Sequence, residues 1–225
     1  MQRRRLGGLE VSAVGLGCAT MTPFYDEPDR DAAIETLRRA REIGVDFLDS
    51  SDAYGRGRNE ELIARGVEGH RDEYVIASKF GNLRNPDGSP TSDGRPEYVK
   101  ACCERSLKRL ETDVIDLYYI HRVDPTVPIV DTVGAMSDLV RHGKVRHLGI
   151  CEAGAATIRR AHATHLLTPS SAESKTNPCP NARKTMEPSA SLRTNGIGAI
   201  SCASACSRSA TPIWRGSRAM GASLV

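Results

Sequence analysis

Val114-Ile-Asp-Leu-Tyr-Tyr-Ile120, running into His121, is apolar at nearly every position. A strand with one solvated face alternates polar and apolar residues, whereas a strand covered by helices on both faces has no need to. The run therefore reads as a buried strand over 114–121 of a parallel sheet. Reading outward, a helix over about 97–110 precedes it, with Pro96 well placed in the first turn. Before that helix lies a loop over 81–96 rich in Gly, Pro, Asn and Asp. After the strand come a helix Ile129–Arg141 closed by Gly143, a strand Val145–Cys151 and a helix over 155–163. Toward the N-terminus the same rhythm holds, with strands Tyr74–Lys79, Asp46–Ser50 and Val14–Cys18 and helices over about 59–67 and 30–43. Asp29 and Asp31 suit the start of the helix over 30–43, Ala33, Leu37 and Ala40 mark its buried stripe, and Gly44 stops it. Arg3–Leu6 and Leu9–Ser12, joined by Gly7-Gly8, read as an opening hairpin.

Strand and helix in fivefold alternation imply parallel strands joined by right-handed crossovers. A (β/α)8 TIM barrel and an open doubly wound sheet both fit. The first strand lacks a Gly-x-Gly-x-x-Gly turn into a helix, which favours the barrel. Five of the eight strands a barrel requires are recognisable. After His165 the rhythm stops: residues 166–225 hold 11 Ser, 9 Ala and 5 Pro, and their one short apolar stretch is Ile197–Ile200. The chain thus divides into a barrel part, 1–165, and an irregular tail, 166–225. A barrel wall that ends after five strands is expected to leave its first and fifth strands with unpaired edges.

With 39% hydrophobic and 26% charged residues, the chain fits a globular protein, and no apolar run nears the roughly 20 residues of a membrane helix. The net charge of +3 divides into −2 over 1–165 and +5 over 166–225. The tail's seven cations are scattered and accompanied by one aromatic, Trp214, which excludes a stacking or groove-reading nucleic-acid surface. Seven cysteines, none at Cys-x-x-Cys spacing and two adjacent (Cys102 and Cys103), argue against a zinc site or disulfide framework and for the reducing cytosol. No metal site is expected.

In barrel enzymes the chemistry gathers at the C-terminal ends of the strands. Asp49, Lys79 and His121 stand at three successive strand ends, and Tyr54 lies five residues past Asp49. Each has an ordinary reading: Asp49 as a turn cap, Lys79 as a solvated lysine, Tyr54 as a packing residue, His121 as a core histidine. Their joint placement favours a site, because neighbouring strands about 4.8 Å apart would bring them into one small volume.

The segments Gly44-Val-Asp-Phe-Leu-Asp49-Ser-Ser-Asp-Ala-Tyr54-Gly with Asn59-Glu60-Glu61, Ala77-Ser-Lys-Phe80, Leu117-Tyr-Tyr-Ile-His-Arg-Val-Asp124 and Gly143-Lys-Val-Arg-His-Leu-Gly-Ile150 together resemble the aldo/keto reductases. The resemblance covers about residues 3–165 and comes nearest to the general aldehyde and ketone reductases that include the perakine reductases. It implies hydride transfer from NADPH to a small aldehyde or ketone. Tyr54 would be the general acid, Lys79 the cation that favours its charged form, Asp49 the partner of Lys79, and His121 the group that orients the carbonyl oxygen. A free tyrosine, with a pKa near about 10, needs such a neighbour to give up its proton at neutral pH.

For the cofactor, the resemblance points to Cys151 and Glu152 at the end of the fifth strand, where the family usually has Ser-Asn or Ser-Glu, and to Met21 beyond the first strand. A thiol at 151 is a weaker hydrogen-bonding group than a hydroxyl. Gly55-Arg-Gly57 reads as a turn between strand and helix rather than a phosphate loop. Gly196-Ile-Gly-Ala-Ile-Ser201 faintly resembles the seventh strand, but Cys202-Ala-Ser-Ala-Cys-Ser207 replaces the phosphate loop expected after it. The tail's composition resembles out-of-frame translation of a GC-rich gene. Two functional classes follow: an NADPH-dependent carbonyl reductase, and a non-catalytic fragment or binding module that reuses the fold.

Overall fold

The computed structural model describes residues 1–22 and 29–168, together with the backbone of 223–224. The chain opens with an antiparallel hairpin of β1 (Arg3–Leu6) and β2 (Leu9–Ser12), in which Leu6 pairs with Leu9 across the turn. The alternation then begins with β3 (Gly15–Gly17), α1 (Arg30–Glu42), β4 (Phe47–Asp49), α2 (Arg58–Gly66) and β5 (Val75–Phe80). A small hairpin of β6 (Leu83–Arg84) and β7 (Pro90–Thr91) interrupts the long loop before α3 (Pro96–Arg109). The series continues through β8 (Ile115–Ile120), α4 (Ile129–Arg141), β9 (Val145–Ile150) and α5 (Ala155–Thr164).

Strands β3, β4, β5, β8 and β9 are parallel and lie side by side in chain order. A doubly wound sheet reverses its strand order at a switch point, and this one does not. It is the wall of a barrel.

The expected bare edges need correction. Beyond β9, Leu167 pairs parallel with Leu148 and the Thr168 N–H donates to the Leu148 carbonyl at 2.8 Å. One isolated bridge thus lies past 165, where the tail was expected to begin, with Leu167 burying its side chain while Leu166 stays exposed. On the other edge, Ser223–Leu224 pairs antiparallel with β3. The stretches Ile197–Ile200 and Gly196–Ser201 and residue Trp214 lie outside the described residues.

Side chains of the sheet divide into two layers. Phe47, Ala77, Leu117, Tyr119 and Cys151 form the inner face, joined by Leu6, Leu9 and Val11 of the opening hairpin. The other face packs against the helices through Leu48, Ile76, Phe80, Tyr118, Ile120 and Ile150. The hairpin caps the N-terminal end of the wall, where Asp46 accepts from the Ser12 N–H at 2.7 Å. Its Gly8 backs directly onto the His147 ring, so close that a β-carbon would sit 2.7 Å from it. Closing that end leaves the C-terminal ends of the strands as the open mouth.

The helices are set by local chemistry of the kind expected. Asp29 caps α1 by accepting from the Asp31 and Ala32 N–H groups, and Ala33, Leu37 and Ala40 form its buried stripe. Gly44, at φ +82, ends the helix in a conformation that disfavours other residues. Among the described residues, no helix is long and apolar enough to cross a membrane, and no cluster of three His, Cys, Asp or Glu could hold a metal ion.

Candidate active site

The sheet register explains how distant residues meet. Asp49 ends β4 and pairs with Ala77, two residues before Lys79. Lys79 in turn pairs with Tyr119, two residues before His121. Side chains alternate along a strand, so steps of two keep all three on the inner face. The two-residue advance from strand to strand is the stagger of tilted barrel strands.

Lys79 is 1% exposed, so the ordinary reading of it as a solvated lysine does not hold. A buried ammonium must be paired and fully hydrogen-bonded to be tolerated. Its Nζ lies 2.8 Å from the Asp49 carboxylate, 2.7 Å from the Ser50 carbonyl and 3.2 Å from the Tyr54 hydroxyl. Those three acceptors match the three protons an ammonium carries. Because Nζ can only donate, the Tyr54 oxygen accepts here and its own proton points elsewhere.

Tyr54 follows β4 at the head of a tight helical turn, Tyr54–Gly57. Gly55, Arg56 and Gly57 all have positive φ, which brings the chain round sharply into α2. The Gly55-Arg-Gly57 segment is thus the turn its composition suggested. The Tyr54 ring meets His121 edge-on, with centroids 5.8 Å apart and planes at 88°. The four side chains singled out from strand ends and spacing, Asp49, Tyr54, Lys79 and His121, are together at one mouth.

Several residues that build this site were quoted in the motifs but given no role. Ser51 is buried, and its Oγ lies 2.9 Å from His121 Nδ1 and 3.3 Å from the Lys79 carbonyl, while accepting from the Ala53 N–H. Asn59 accepts from the Ser50 hydroxyl at 2.7 Å and donates to the Cys18 carbonyl at 2.7 Å, tying α2 to the ends of β3 and β4. Glu60, also buried, accepts from the Ser78 hydroxyl at 2.5 Å and pairs with Arg109 of α3 at 2.6 Å. Runs of Ser, Asn and Glu at a strand–helix junction were the available signal.

Two electrostatic effects surround the cluster. Burial, then the nearby Glu60, pushes the Asp52 carboxyl up to about 7. Burial, then the Asp49 carboxylate, pushes the Cys18 thiol up to about 12, which keeps it an inert core group.

The cofactor candidates are less closely grouped. Cys151 follows β9 on the inner face, its N–H donating to the Ile120 carbonyl at 2.8 Å. Glu152, at φ 49, forms an ion pair with Arg122. Met21 is buried with Leu16, Cys18 and the helix-side core rather than among the four mouth residues.

Against known proteins, the profile of the aldo/keto reductase family matches residues 13–210. A probable aldo-keto reductase of Glycine max is 44% identical over 163 residues, covering 72% of this chain and 47% of the relative. The chain thus spans about half the length of that curated relative. An aldo-keto reductase of Bacillus halodurans, solved in its holo form, superposes with a TM-score of 0.66 at 31% identity, over 74% of this chain and 55% of the other. A glycerol dehydrogenase of Gluconobacter oxydans superposes with a TM-score of 0.68 at 26% identity, over 74% and 53%.

Proposed function

This chain belongs to the aldo/keto reductase family, and on that premise we propose that it reduces an aldehyde or ketone to the alcohol with NADPH, Tyr54 donating the proton. The observation that carries the proposal is the Lys79 ammonium, buried and shared between Asp49 and the Tyr54 oxygen. When bound, NADPH supplies the hydride that adds to the carbonyl carbon.

The residues present account for the rest. As the C=O bond gives way, negative charge grows on the substrate oxygen and Tyr54 transfers its proton there. The charge this leaves on the phenol oxygen faces the Lys79 ammonium at 3.2 Å. Asp49 neutralises Lys79 and fixes its position, so no reorganisation accompanies the transfer. Ser51 has one hydroxyl proton, and the 2.9 Å contact to Nδ1 is shorter than the 3.3 Å contact to the Lys79 carbonyl. Giving that proton to Nδ1 puts the ring proton on Nε2, from which His121 donates to the substrate oxygen.

At the end of β9, Cys151 and Glu152 would hold the amide of a nicotinamide, the thiol as a weak donor and the carboxylate, also paired with Arg122, as an acceptor. Met21, packed in the helix-side core, fits a structural part better than a cofactor contact. The buried thiols of Cys18, Cys102, Cys103 and Cys151, none in a disulfide, agree with a reducing, cytoplasmic setting.

The test is NADPH oxidation by the 225-residue chain with an uncharged aromatic aldehyde, compared with Tyr54→Phe. The variant should lose nearly all turnover and still bind NADPH, since the ring remains while the proton is gone. Near-normal turnover would assign proton donation to another group. A second reading, a non-catalytic chain that keeps the fold, is favoured by Cys202-Ala-Ser-Ala-Cys-Ser207 standing where the family's phosphate loop is expected. That reading expects no NADPH oxidation from either chain.

A further inference from the structure

Beside Tyr54 opens a cleft of about 660 Å³ between the Tyr54–Gly57 turn, β6 and α3. Its wall carries four guanidinium groups, on Arg56, Arg84, Arg105 and Arg109, against a single carboxylate, Asp52. Lone arginines on a surface are ordinary. Four converging on one concavity that also holds the candidate proton donor are not what solvation alone requires.

The arginines are held differently. Arg109 is committed to the buried Glu60 carboxylate and to the Ser106 hydroxyl, and forms a fixed back wall. Arg105 lies over the Tyr98 ring, 5.8 Å from its centroid, with one nitrogen 3.0 Å from Cys102 Sγ. Arg84 reaches the Gly88 carbonyl across the small β6–β7 hairpin through one terminal nitrogen. Arg56 projects from the left-handed turn between Gly55 and Gly57. A guanidinium presents five N–H donors, so the single bonds held by Arg84 and Arg105 leave each able to grip a carboxylate or phosphate with two. Asp52 opposes them weakly, because its burial favours the neutral acid.

We infer that this cleft receives an anionic group on the substrate, so that the preferred substrates are carbonyl compounds bearing a carboxylate or phosphate. The inference rests on Tyr54 being the proton donor, since Tyr54 lines the cleft and its oxygen bonds Lys79. A substrate anchored by its anion at Arg84 and Arg105 would lie against the residue that protonates its carbonyl. Uncharged aldehydes would lack that anchor.

The experiment is equilibrium binding to the 225-residue chain by calorimetry, with para-carboxybenzaldehyde and benzaldehyde as probes. The carboxylated probe should bind about ten-fold tighter, one charge-assisted hydrogen-bonded pair being worth about that factor. Arg84→Gln with Arg105→Gln should remove the preference and leave benzaldehyde affinity unchanged. Arg56→Gln, on an exposed turn, should reduce it and serves as the second variant should the double variant melt early. Equal affinities for the two probes, or a preference that survives all these changes, would overturn the inference. NADPH titrated into the same variants separates the two sources of anion. If the arginine changes weaken NADPH as much as the carboxylated probe, the cleft serves the cofactor's phosphates and the substrate assignment falls. Binding is read without turnover, so failure of Tyr54 as proton donor would show separately, as intact preference with no reduction.

Discussion

Replacing Lys79 by Met keeps the length and most of the volume of the side chain and removes its charge. The phenol oxygen of Tyr54 is 3.2 Å from Nζ. For two full charges at that distance, an effective dielectric of about 20 gives about 5 kcal/mol. At the transition state the proton is partly transferred, and a phenol charge of about one half reduces the interaction to about 2–3 kcal/mol. That corresponds to a loss of roughly 100-fold in kcat/KM. The same change strands the Asp49 carboxylate. A fully buried orphan charge costs about 3–5 kcal/mol, but Asp49 is 15% exposed and water relieves part of this.

The assay is therefore paired: aldehyde-dependent NADPH oxidation, and a denaturant melt of each chain to confirm that the variant is folded under assay conditions. NADPH affinity should be nearly unchanged, because Nζ is engaged by Asp49, Ser50 and Tyr54. A folded Lys79→Met chain within about three-fold of the parent's kcat/KM would refute the electrostatic role, since it would require an effective dielectric several times larger than a buried site has.

Three other outcomes follow from the geometry. Ser51→Ala removes the partner of His121 Nδ1, so nitrogen NMR of the His121 ring should change from one dominant tautomer to a mixture while kcat falls more than KM rises; an unaltered tautomer would assign that control to another group. Gly149→Ala would put a β-carbon 2.3 Å from the buried Tyr119 ring, and a denaturant melt should show a loss of about 1–3 kcal/mol or more, with an unchanged midpoint counting against the packing described here. Asp52 keeps its proton up to about 7 in the folded chain against an ordinary 3.8, so the folded state binds more protons across that window and stability falls as pH rises through it. Asp52→Asn removes that loss: its melting temperature should exceed the parent's above about pH 7, and the gap should close toward about pH 4, whereas a pH-independent gap would show that the carboxyl is not the cause.

What could be read from residues alone divides along a physical line. Helix α4 at Ile129–Arg141, the hairpin and the stripe Ala33, Leu37, Ala40 were legible because each is set by local periodicity or turn chemistry. The three strand-end residues were legible for a related reason: parallel strands point their C-terminal ends one way, so an end position in sequence is a mouth position in space. The β6–β7 hairpin escaped because two-residue strands have no period to detect. So did the burial of Asp116, the polar exception in the apolar run that decided the fold. It is held by Arg71 at 2.8 Å, Arg146 at 2.6 Å and the Ile76 N–H at 2.9 Å, partners 30 to 45 residues away.

Ser51, Asn59 and Glu60 belong to that second kind. The roles of Asn59 and Glu60 depend on how α2 and α3 dock against the sheet, and that of Ser51 on where the loop after β4 meets the end of β8; nothing in their own neighbourhood specifies either. The contrast bears on how the site is built. Asp49, Lys79 and His121 take their places from strand register, which backbone hydrogen bonds define. The tautomer of His121 and the setting of Ser50, whose carbonyl holds Lys79, depend on side-chain bonds to Ser51 and Asn59. Loosening the helix layer should therefore degrade catalysis before it disperses the four residues. Variants at Asn59 should lose turnover while the sheet still melts as a unit.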